Sequence, residues 1–162
     1  MNDSLLNSLA DRLKIIETID GFGMAIDLRD WQKFRSLFAD AVEFDYSSIG
    51  EVAGTLHPDE IVNTARNDLG GFQATQHMMA NHQVNLAGDR ATCLAHVRAQ
   101  HFLPNDRSEP IFEMGGYYTA GLIRINSDWK IQRWKFSVLW SGGNQLLFDL
   151  AKQITGDRPE IV

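Results

Sequence analysis

The second half of the chain alternates between long β-rich runs and short polar turns, and this alternation limits the fold more than any other feature. The runs cover residues 75–86, 91–103, 111–125 and 129–140. Gly88 lies in a turn of hairpin composition between the first two runs, and Asn126 opens a similar turn between the last two. Strands joined by short connections pair with their neighbours, so the sequence predicts a four-stranded antiparallel meander.

The first segment has the spacing of an amphipathic helix. Asp3 or Ser4 is suited to cap its start, and the pattern runs to about Ile26. The apolar positions, which recur at helical spacing and share one face, are Leu6, Leu9, Leu13, Ile16 and Ile19. We therefore expect one long helix whose apolar face packs on the rest of the protein.

Shorter elements complete the first half. The predicted helices cover residues 31–38 and 58–67, and the predicted strands cover residues 42–46 and 51–56. Asp30 is placed to cap the first of these helices, and Pro58 suits the first turn of the other. Because the helices precede most of the strands, the predicted fold class is α+β.

We expect residues 1–162 to form a single domain. The chain has 162 residues, which is enough for one hydrophobic core, and it contains no internal repeat or linker composition. An apolar stretch of helical spacing around Leu147 follows the last strand. Residues 142–162 are therefore predicted to form a C-terminal helical tail.

Charge and motif content argue against several classes of protein. The net charge is -6 and no run of Lys or Arg occurs, so we expect no nucleic-acid partner. The apolar stretches are too short to span a bilayer, so we expect no membrane partner. Cys93 is the single cysteine and the first segment lacks the pattern of a secretion signal, which together favour a cytoplasmic location. Without a CxxC, HExxH or P-loop motif, neither a metal nor a cofactor is expected.

Side chains alternate between the two faces of a strand, and in two of the runs one face is apolar. In residues 91–103 that face is small and carries a single histidine: Cys93, Ala95, Val97, Ala99, His101 and Leu103. In residues 129–140 it is large: Trp134, Phe136, Val138 and Trp140. A sheet with such a face can wrap around helices and leave a cavity, so we expect Val97, Trp134 and Phe136 to contact a ligand.

Asp27 has two readings. It lies eighteen positions after Leu9, which is about five helical turns, so it would project from the apolar stripe if the helix continues that far. A carboxylate there would need a charged or hydrogen-bonding partner. Alternatively, Asp27 lies beyond the helix end and caps the turn before Asp30.

His77 begins a strand in which His77, Met79, Asn81 and Gln83 share one face. A lone histidine in a strand is more often structural than catalytic. His82 has the opposite parity, so His77 and His82 are not expected to face the same cavity.

Tyr46 and several glycines complete the set of candidate residues. Tyr46 ends the first short strand, where its phenol either reaches the mouth of a cavity or lies half-buried with its hydroxyl in water. Gly21 and Gly23 weaken the first helix, which points to close packing or to space for a ligand. The pair at 115–116 predicts a bulge or a close backbone approach within a strand.

Three segments carry a family resemblance, namely residues 25–46, 76–101 and 115–134. The chain resembles the SnoaL-like branch of the NTF2-like superfamily, in the group that includes scytalone dehydratase and hexachlorocyclohexane dehydrochlorinase. The resemblance covers roughly residues 8–140. It implies a cone-shaped barrel, formed by a strongly curved six-stranded sheet wrapped around three N-terminal helices, and a dimer or trimer.

The resemblance also implies a catalytic site. Asp27 and His77 match an aspartate and histidine pair of that group, and Tyr46 and His101 match a tyrosine and a second histidine that polarise the substrate. The residue before the aspartate is a tyrosine in scytalone dehydratase and Ile26 here. Phe22 stands where the dehydrochlorinase carries a lysine.

These observations predict a cofactor-free lyase or isomerase that acts on a small hydrophobic cyclic substrate. Dehydration by proton abstraction is the specific reaction that we expect. His77 would act as the base, with Asp27 fixing its tautomer. Tyr46 would donate to a developing oxyanion, and His101 would assist the leaving hydroxide. The expected ligand contacts are Phe22, Asn81, Val97, Trp134 and Phe136.

Other functions remain open from the sequence alone. They are a polyketide-cyclase-like enzyme, a non-catalytic protein that binds an apolar ligand, and a subunit akin to the small subunit of ring-hydroxylating dioxygenases. We also expect a homo-oligomer, most simply a dimer, that buries the outer face of the long strands around Leu94 and Phe102.

Overall fold

The computed structural model describes residues 3–154 and contains every predicted element within that range. The helices are α1 (Asp3–Asp27), α2 (Trp31–Ser36), α3 (Pro58–Leu69) and α4 (Leu147–Gln153). The strands are β1 (Phe38–Asp45), β2 (Ala53–Leu56), β3 (Ala74–Ala87), β4 (Arg90–Phe102), β5 (Ile111–Ile125) and β6 (Asp128–Gly143), with a short 3₁₀ helix over Ser47–Ile49. The part of the predicted C-terminal tail after residue 154 lies outside the described residues.

The six strands form one mixed sheet in the order β2-β1-β6-β5-β4-β3. The meander from β3 to β6 is antiparallel, as predicted, and β1 joins it by parallel pairing with β6. The α+β class and the six-stranded sheet are confirmed. The sheet is not a closed barrel, because β2 and β3 are its two edges and do not pair with each other.

Helix α1 covers one face of the sheet through only part of its length. Its buried residues are Ile15, Ile19, Phe22, Gly23, Ala25 and Ile26, and it packs against β3, β4 and β6. Leu6, Leu9 and Leu13 are exposed, so the predicted apolar face is wrong in the first half of the helix. In this part of the helix, Asp11 contacts the sheet. Its carboxylate accepts two hydrogen bonds from Arg124, at 2.7 and 2.8 Å, and one from Trp129.

A bulge in β3 reverses the alternation that the sequence suggested. The pairing of β3 with β4 shifts register between Ala80 and Gln83, and Asn81 has a φ of 57°, a conformation that asparagine tolerates. His82 therefore faces α1, as His77 does, and its Nε2 lies 3.0 Å from Oδ1 of Asp20. Of the two, only His77 lines the cavity, as expected, but the parity argument behind that expectation assumed an uninterrupted strand and does not hold.

A second bulge lies where the sequence predicted one, at the glycine pair of β5. Gly116 pairs with Val138 and Gly115 with Trp140, so Leu139 is the extra residue of β6. Trp140 is consequently turned to the outer face of the sheet, where its ring lies 5.9 Å from the guanidinium of Arg98. The expectation that Trp140 shares the inner face is wrong for this reason.

Within residues 3–154, no helix combines the length and the hydropathy needed to cross a membrane.

Replacing each of the two glycines of α1 by alanine is expected to change the free energy of unfolding in opposite directions. A Cβ on Gly23 would lie 2.9 Å from Cβ and 3.0 Å from the carbonyl oxygen of His77, whereas a Cβ on Gly21 would only touch the Leu37 side chain at 3.4 Å. We expect Gly23→Ala to lower the free energy of unfolding by about 1–3 kcal/mol through overpacking. Gly21→Ala should raise it by about 0.5–1 kcal/mol through helix propensity. Urea denaturation of both variants measures this, and equal effects would contradict the close approach of α1 to β3.

Self-association stays a prediction, and the structure shows which hydrophobic residues of the long strands are exposed. Met78, Phe102, Leu139 and Trp140 are exposed hydrophobic residues of the long strands. We expect a dimer or trimer in solution, because a large exposed apolar surface is typical of an interface. Size-exclusion chromatography with light scattering measures the mass, and a monomer at micromolar concentration would contradict the expectation.

Candidate active site

A cavity of about 560 Å³ lies between the sheet and the helices. Its surface is rich in aromatic rings: Phe22, Phe34, Phe44, Phe112, Phe136 and Phe148. Polar groups border it in two places. His77, His101 and Tyr118 contribute from the strands, and Tyr46 contributes from the end of β1. Helices α3 and α4 contribute charged residues such as Asp68 and Lys152, which form an ion pair at 3.1 Å.

Asp27 and His77 form a hydrogen-bonded pair at this cavity. Oδ1 of Asp27 lies 2.7 Å from Nδ1 of His77, and Oδ2 accepts a second hydrogen bond, also 2.7 Å, from the backbone N–H of His77. The side chains are 14% and 6% exposed, respectively. Asp27 is the last residue of α1 and its side chain is largely buried, which agrees with the first of the two hypotheses for this residue. The cap of α2 is Asp30, whose side chain accepts a hydrogen bond from the backbone N–H of Lys33.

The partner of His77 fixes which ring nitrogen carries the proton. An ionised carboxylate only accepts hydrogen bonds, so Nδ1 of His77 is the donor. In the neutral ring, Nε2 then carries a free lone pair. His77 lines the cavity, so its ring is able to accept a proton from a bound molecule.

Two residues that the sequence did not single out lie behind Asp27. The hydroxyl of Thr75 donates to Oδ1 of Asp27 at 2.9 Å and accepts from Nη1 of Arg29 at 2.8 Å. Thr75 precedes His77 by two positions on the same strand face, and strand alternation would have identified it. Arg29 has a φ of 61° and lies between α1 and α2, where no sequence pattern marks it as a buried side chain.

His101 lies beside His77 in a largely aromatic environment. The two rings meet edge to face with centroids 5.8 Å apart, and the rings of Phe72, Phe112 and Phe148 surround His101. Burial, with the nearby His77 contributing, lowers the pKa of His101 to about 3. Nδ1 lies 3.3 Å from the carbonyl oxygen of Phe112 and donates to it. His101 is therefore neutral near pH 7, and its Nε2 is a hydrogen-bond acceptor. That it assists a leaving hydroxide stays a prediction.

Tyr46 belongs to a group of hydrogen-bonded aromatic residues. Nε1–H of Trp134 donates to the Tyr46 hydroxyl, which lies 3.3 Å from the hydroxyl of Tyr118. Burial raises the pKa of Tyr46 to about 12 and that of Tyr118 well above its usual range, so both phenols are protonated near pH 7. One hydrogen bond joins the two hydroxyls, so one phenolic proton of the pair remains available to a ligand. Tyr118 was missed, although it alternates with the buried Ala120 and Leu122.

Only some of the predicted ligand contacts lie at the cavity. Phe22 and Phe136 line the cavity. Trp134 is fully buried behind Phe22, with ring centroids 4.1 Å apart, and Val97 is buried in the same core. Asn81 is exposed and bonds to His96, because the bulge in β3 turns it outward. Val97, Trp134 and Asn81 therefore do not line this cavity, unlike Phe22 and Phe136.

Among residues 3–154, no group of three or more His, Cys, Asp and Glu side chains is placed to hold a metal ion.

The environment of His101 predicts a dependence of stability on pH. Its pKa is about 3 in the folded protein, against an ordinary 6.5. Below pH 6.5 the unfolded chain binds a proton that the folded protein does not, so this residue lowers stability as the pH falls from about 6.5 towards 3. We expect His101→Gln to reduce the loss of unfolding free energy between pH 7 and pH 4.5 by about 2 kcal/mol. Urea denaturation at both pH values tests this, with the exposed His96→Gln as the control, and parallel losses in wild type and His101→Gln would refute it.

Comparison with known sequences identifies the family. The chain matches the SnoaL-like domain over residues 7–135. An uncharacterized protein of Mycobacterium tuberculosis is 27% identical over 125 residues, covering 77% of this chain and 83% of that protein.

Solved structures share the fold. The Kfla4162 protein from Kribbella flavida has a TM-score of 0.79 at 27% identity, covering 83% of this chain and 95% of that one. A putative scytalone dehydratase from Novosphingobium aromaticivorans has a TM-score of 0.74 at 17% identity, covering 85% and 90% of the two chains. A type 2 hexachlorocyclohexane dehydrochlorinase has a TM-score of 0.74 at 19% identity, covering 96% and 99%.

The match over residues 7–135, together with helices packed on a six-stranded mixed sheet, shows that this protein belongs to the SnoaL-like domain family of the NTF2-like fold.

Proposed function

We propose that this protein is a cofactor-free lyase that removes water from a small hydrophobic cyclic substrate, with His77 as the base. The observation that carries the proposal is the 2.7 Å contact between Asp27 and Nδ1 of His77 beside an aromatic cavity. A carboxylate on one nitrogen leaves the other nitrogen free to take a proton and stabilises the imidazolium that results. The names of two proteins of similar fold, a putative dehydratase and a dehydrochlorinase, both denote eliminations.

The proposed reaction begins at a carbon next to a carbonyl group. Nε2 of His77 takes the proton from that carbon, and the electron pair moves onto the carbonyl oxygen to give an enolate. Hydroxide then leaves the neighbouring carbon as the enolate collapses to a conjugated double bond. The hydroxide takes the proton back from His77 and departs as water, so the enzyme ends in its starting state.

The other polar groups of the cavity have separate roles in this proposal. Tyr118 and Tyr46 share one hydrogen bond and retain a phenolic proton that can be donated to the enolate oxygen. His101 is neutral and accepts a hydrogen bond at Nε2, so it orients the substrate hydroxyl before it leaves. The aromatic rings around the cavity bind the apolar body of the substrate and exclude water.

A protein that binds an apolar ligand without turnover is the second candidate. The size of the cavity and its aromatic lining favour it as much as they favour an enzyme. Such a protein has no need of a base whose tautomer is fixed by a carboxylate, which is why the enzyme is the first proposal.

Substitution of His77 tests the proposal. We expect His77→Gln to lower turnover of cyclic β-hydroxyketones by about two to four orders of magnitude, since glutamine cannot serve as the base. Asp27→Asn should act similarly. The unfolding free energy of His77→Gln should change by about 1 kcal/mol or less. Appearance of the conjugated product, followed by its ultraviolet absorbance, measures turnover.

The matched control is His96→Gln, which changes an exposed histidine on the outer face of the sheet. It should keep wild-type turnover. If His77→Gln unfolds the protein while activity per folded molecule is retained, His77 is structural and the binding protein becomes the better proposal.

A further inference from the structure

Arg29 is a buried cation directly behind the proposed catalytic pair. The residue is 5% exposed and lies between α1 and α2. Its Nη1 donates to the carbonyl oxygen of Ile26 at 2.6 Å and to the hydroxyl of Thr75 at 2.8 Å, and its Nη2 donates to the carbonyl oxygen of Leu69 at 3.0 Å. These acceptors come from α1, α3 and β3, so the guanidinium joins three elements at one point. A buried charge held in this way has a fixed position.

Thr75 links Arg29 to Asp27 through two hydrogen bonds, and each of them has only one possible direction. A guanidinium only donates, so the Thr75 oxygen must accept from it. A carboxylate only accepts, so the single proton of the Thr75 hydroxyl goes to Oδ1 of Asp27, 2.9 Å away. The chain therefore runs from Arg29 through Thr75 to Asp27, and Thr75 has only one arrangement that satisfies both neighbours.

The same carboxylate oxygen is the partner of the proposed base. Oδ1 of Asp27 accepts from Thr75 and lies 2.7 Å from Nδ1 of His77, while Oδ2 accepts from the backbone N–H of His77. Three donors, all on β3, thus fix the plane of the carboxylate. Without the Thr75 hydroxyl, the carboxylate could rotate about its Cβ–Cγ bond and lose its alignment with the imidazole.

We propose that Thr75 and Arg29 are positioning residues for the Asp27–His77 pair. Arg29 fixes the Thr75 hydroxyl, and Thr75 holds Oδ1 of Asp27 in line with Nδ1 of His77. Neither residue borders the cavity, so they act on the pair and not on a bound substrate. The catalytic consequence rests on the proposed function, whereas the hydrogen-bond chain itself does not depend on what the protein binds.

Three variants separate positioning from a structural role. Thr75→Val keeps the shape of the side chain and removes the hydroxyl, and Thr75→Ser restores it. Thr92→Val is the matched control, because Thr92 is an exposed strand threonine on β4. We expect Thr75→Val to lower kcat by about tenfold to hundredfold with KM unchanged, which is typical of losing a group that orients a catalytic ligand or base. Thr75→Ser and Thr92→Val should retain the wild-type kcat.

Nitrogen-15 NMR of the histidine side chains supplies a readout that needs no substrate. The Nδ1–H resonance of His77 reports its hydrogen bond to Asp27, and that of His101, bonded to the Phe112 carbonyl, is an internal reference. In Thr75→Val the His77 resonance should shift or be lost through exchange, while the His101 resonance stays in place. In Thr75→Ser both should match the wild type.

The two readouts distinguish failure of this inference from failure of the proposed function. If His77→Gln abolishes turnover but Thr75→Val changes neither kcat nor the His77 resonance, the positioning role is overturned and the lyase proposal stands. If His77→Gln leaves turnover intact, the lyase proposal fails and the NMR comparison alone decides the positioning role. Arg29→Lys is a further test: a single ammonium cannot reproduce the forked contacts, so it should disturb the His77 resonance in the same direction as Thr75→Val.

Discussion

A carboxylate at the C-terminal end of a helix lies where the helix dipole is already negative, so it needs compensation. Asp27 is the last residue of α1, and the compensation comes from β3: the Thr75 hydroxyl, the His77 ring and the His77 backbone N–H. These contacts attach the end of α1 to an edge strand of the sheet. The close approach of Gly23 to His77, one turn earlier in the helix, depends on the same attachment.

The cavity follows from this attachment. With the end of α1 held against β3, Phe22 stacks on Trp134 and the aromatic residues of the sheet line the space beyond. The proposed catalytic pair lies where α1 meets β3, so a ligand at that end of the cavity would meet hydrogen-bonding groups beside aromatic rings. His101 illustrates the effect of such an environment, since burial alone is the largest cause of its lowered pKa.

Alternating and helical patterns predicted the meander, the helices and the inner face of β4, because these depend on residues near one another in the chain. The errors arose where distant residues decide the outcome. Leu9 is exposed, while Asp11 of the same helix pairs with Arg124, far along the chain, and no local pattern around either residue indicates this pairing. The family resemblance suggested Asp27 and His77 as partners, yet Arg29 and Thr75 emerged only once the fold had brought them together. Asn81 and Trp140 were misplaced by bulges, which shift the alternation by one residue.

The bulge at Asn81 has a consequence for how α1 and β3 are aligned along their lengths. Asp20 and Asp27 are seven residues apart, two turns of a helix, and each meets a histidine of β3: His82 and His77. Those histidines are five positions apart, an odd number, and only the extra residue of the bulge turns both towards the helix. The helix and the strand are therefore joined at two points, which are seven residues apart in α1 and five residues apart in β3. Sliding α1 along β3 by a single turn would break both contacts.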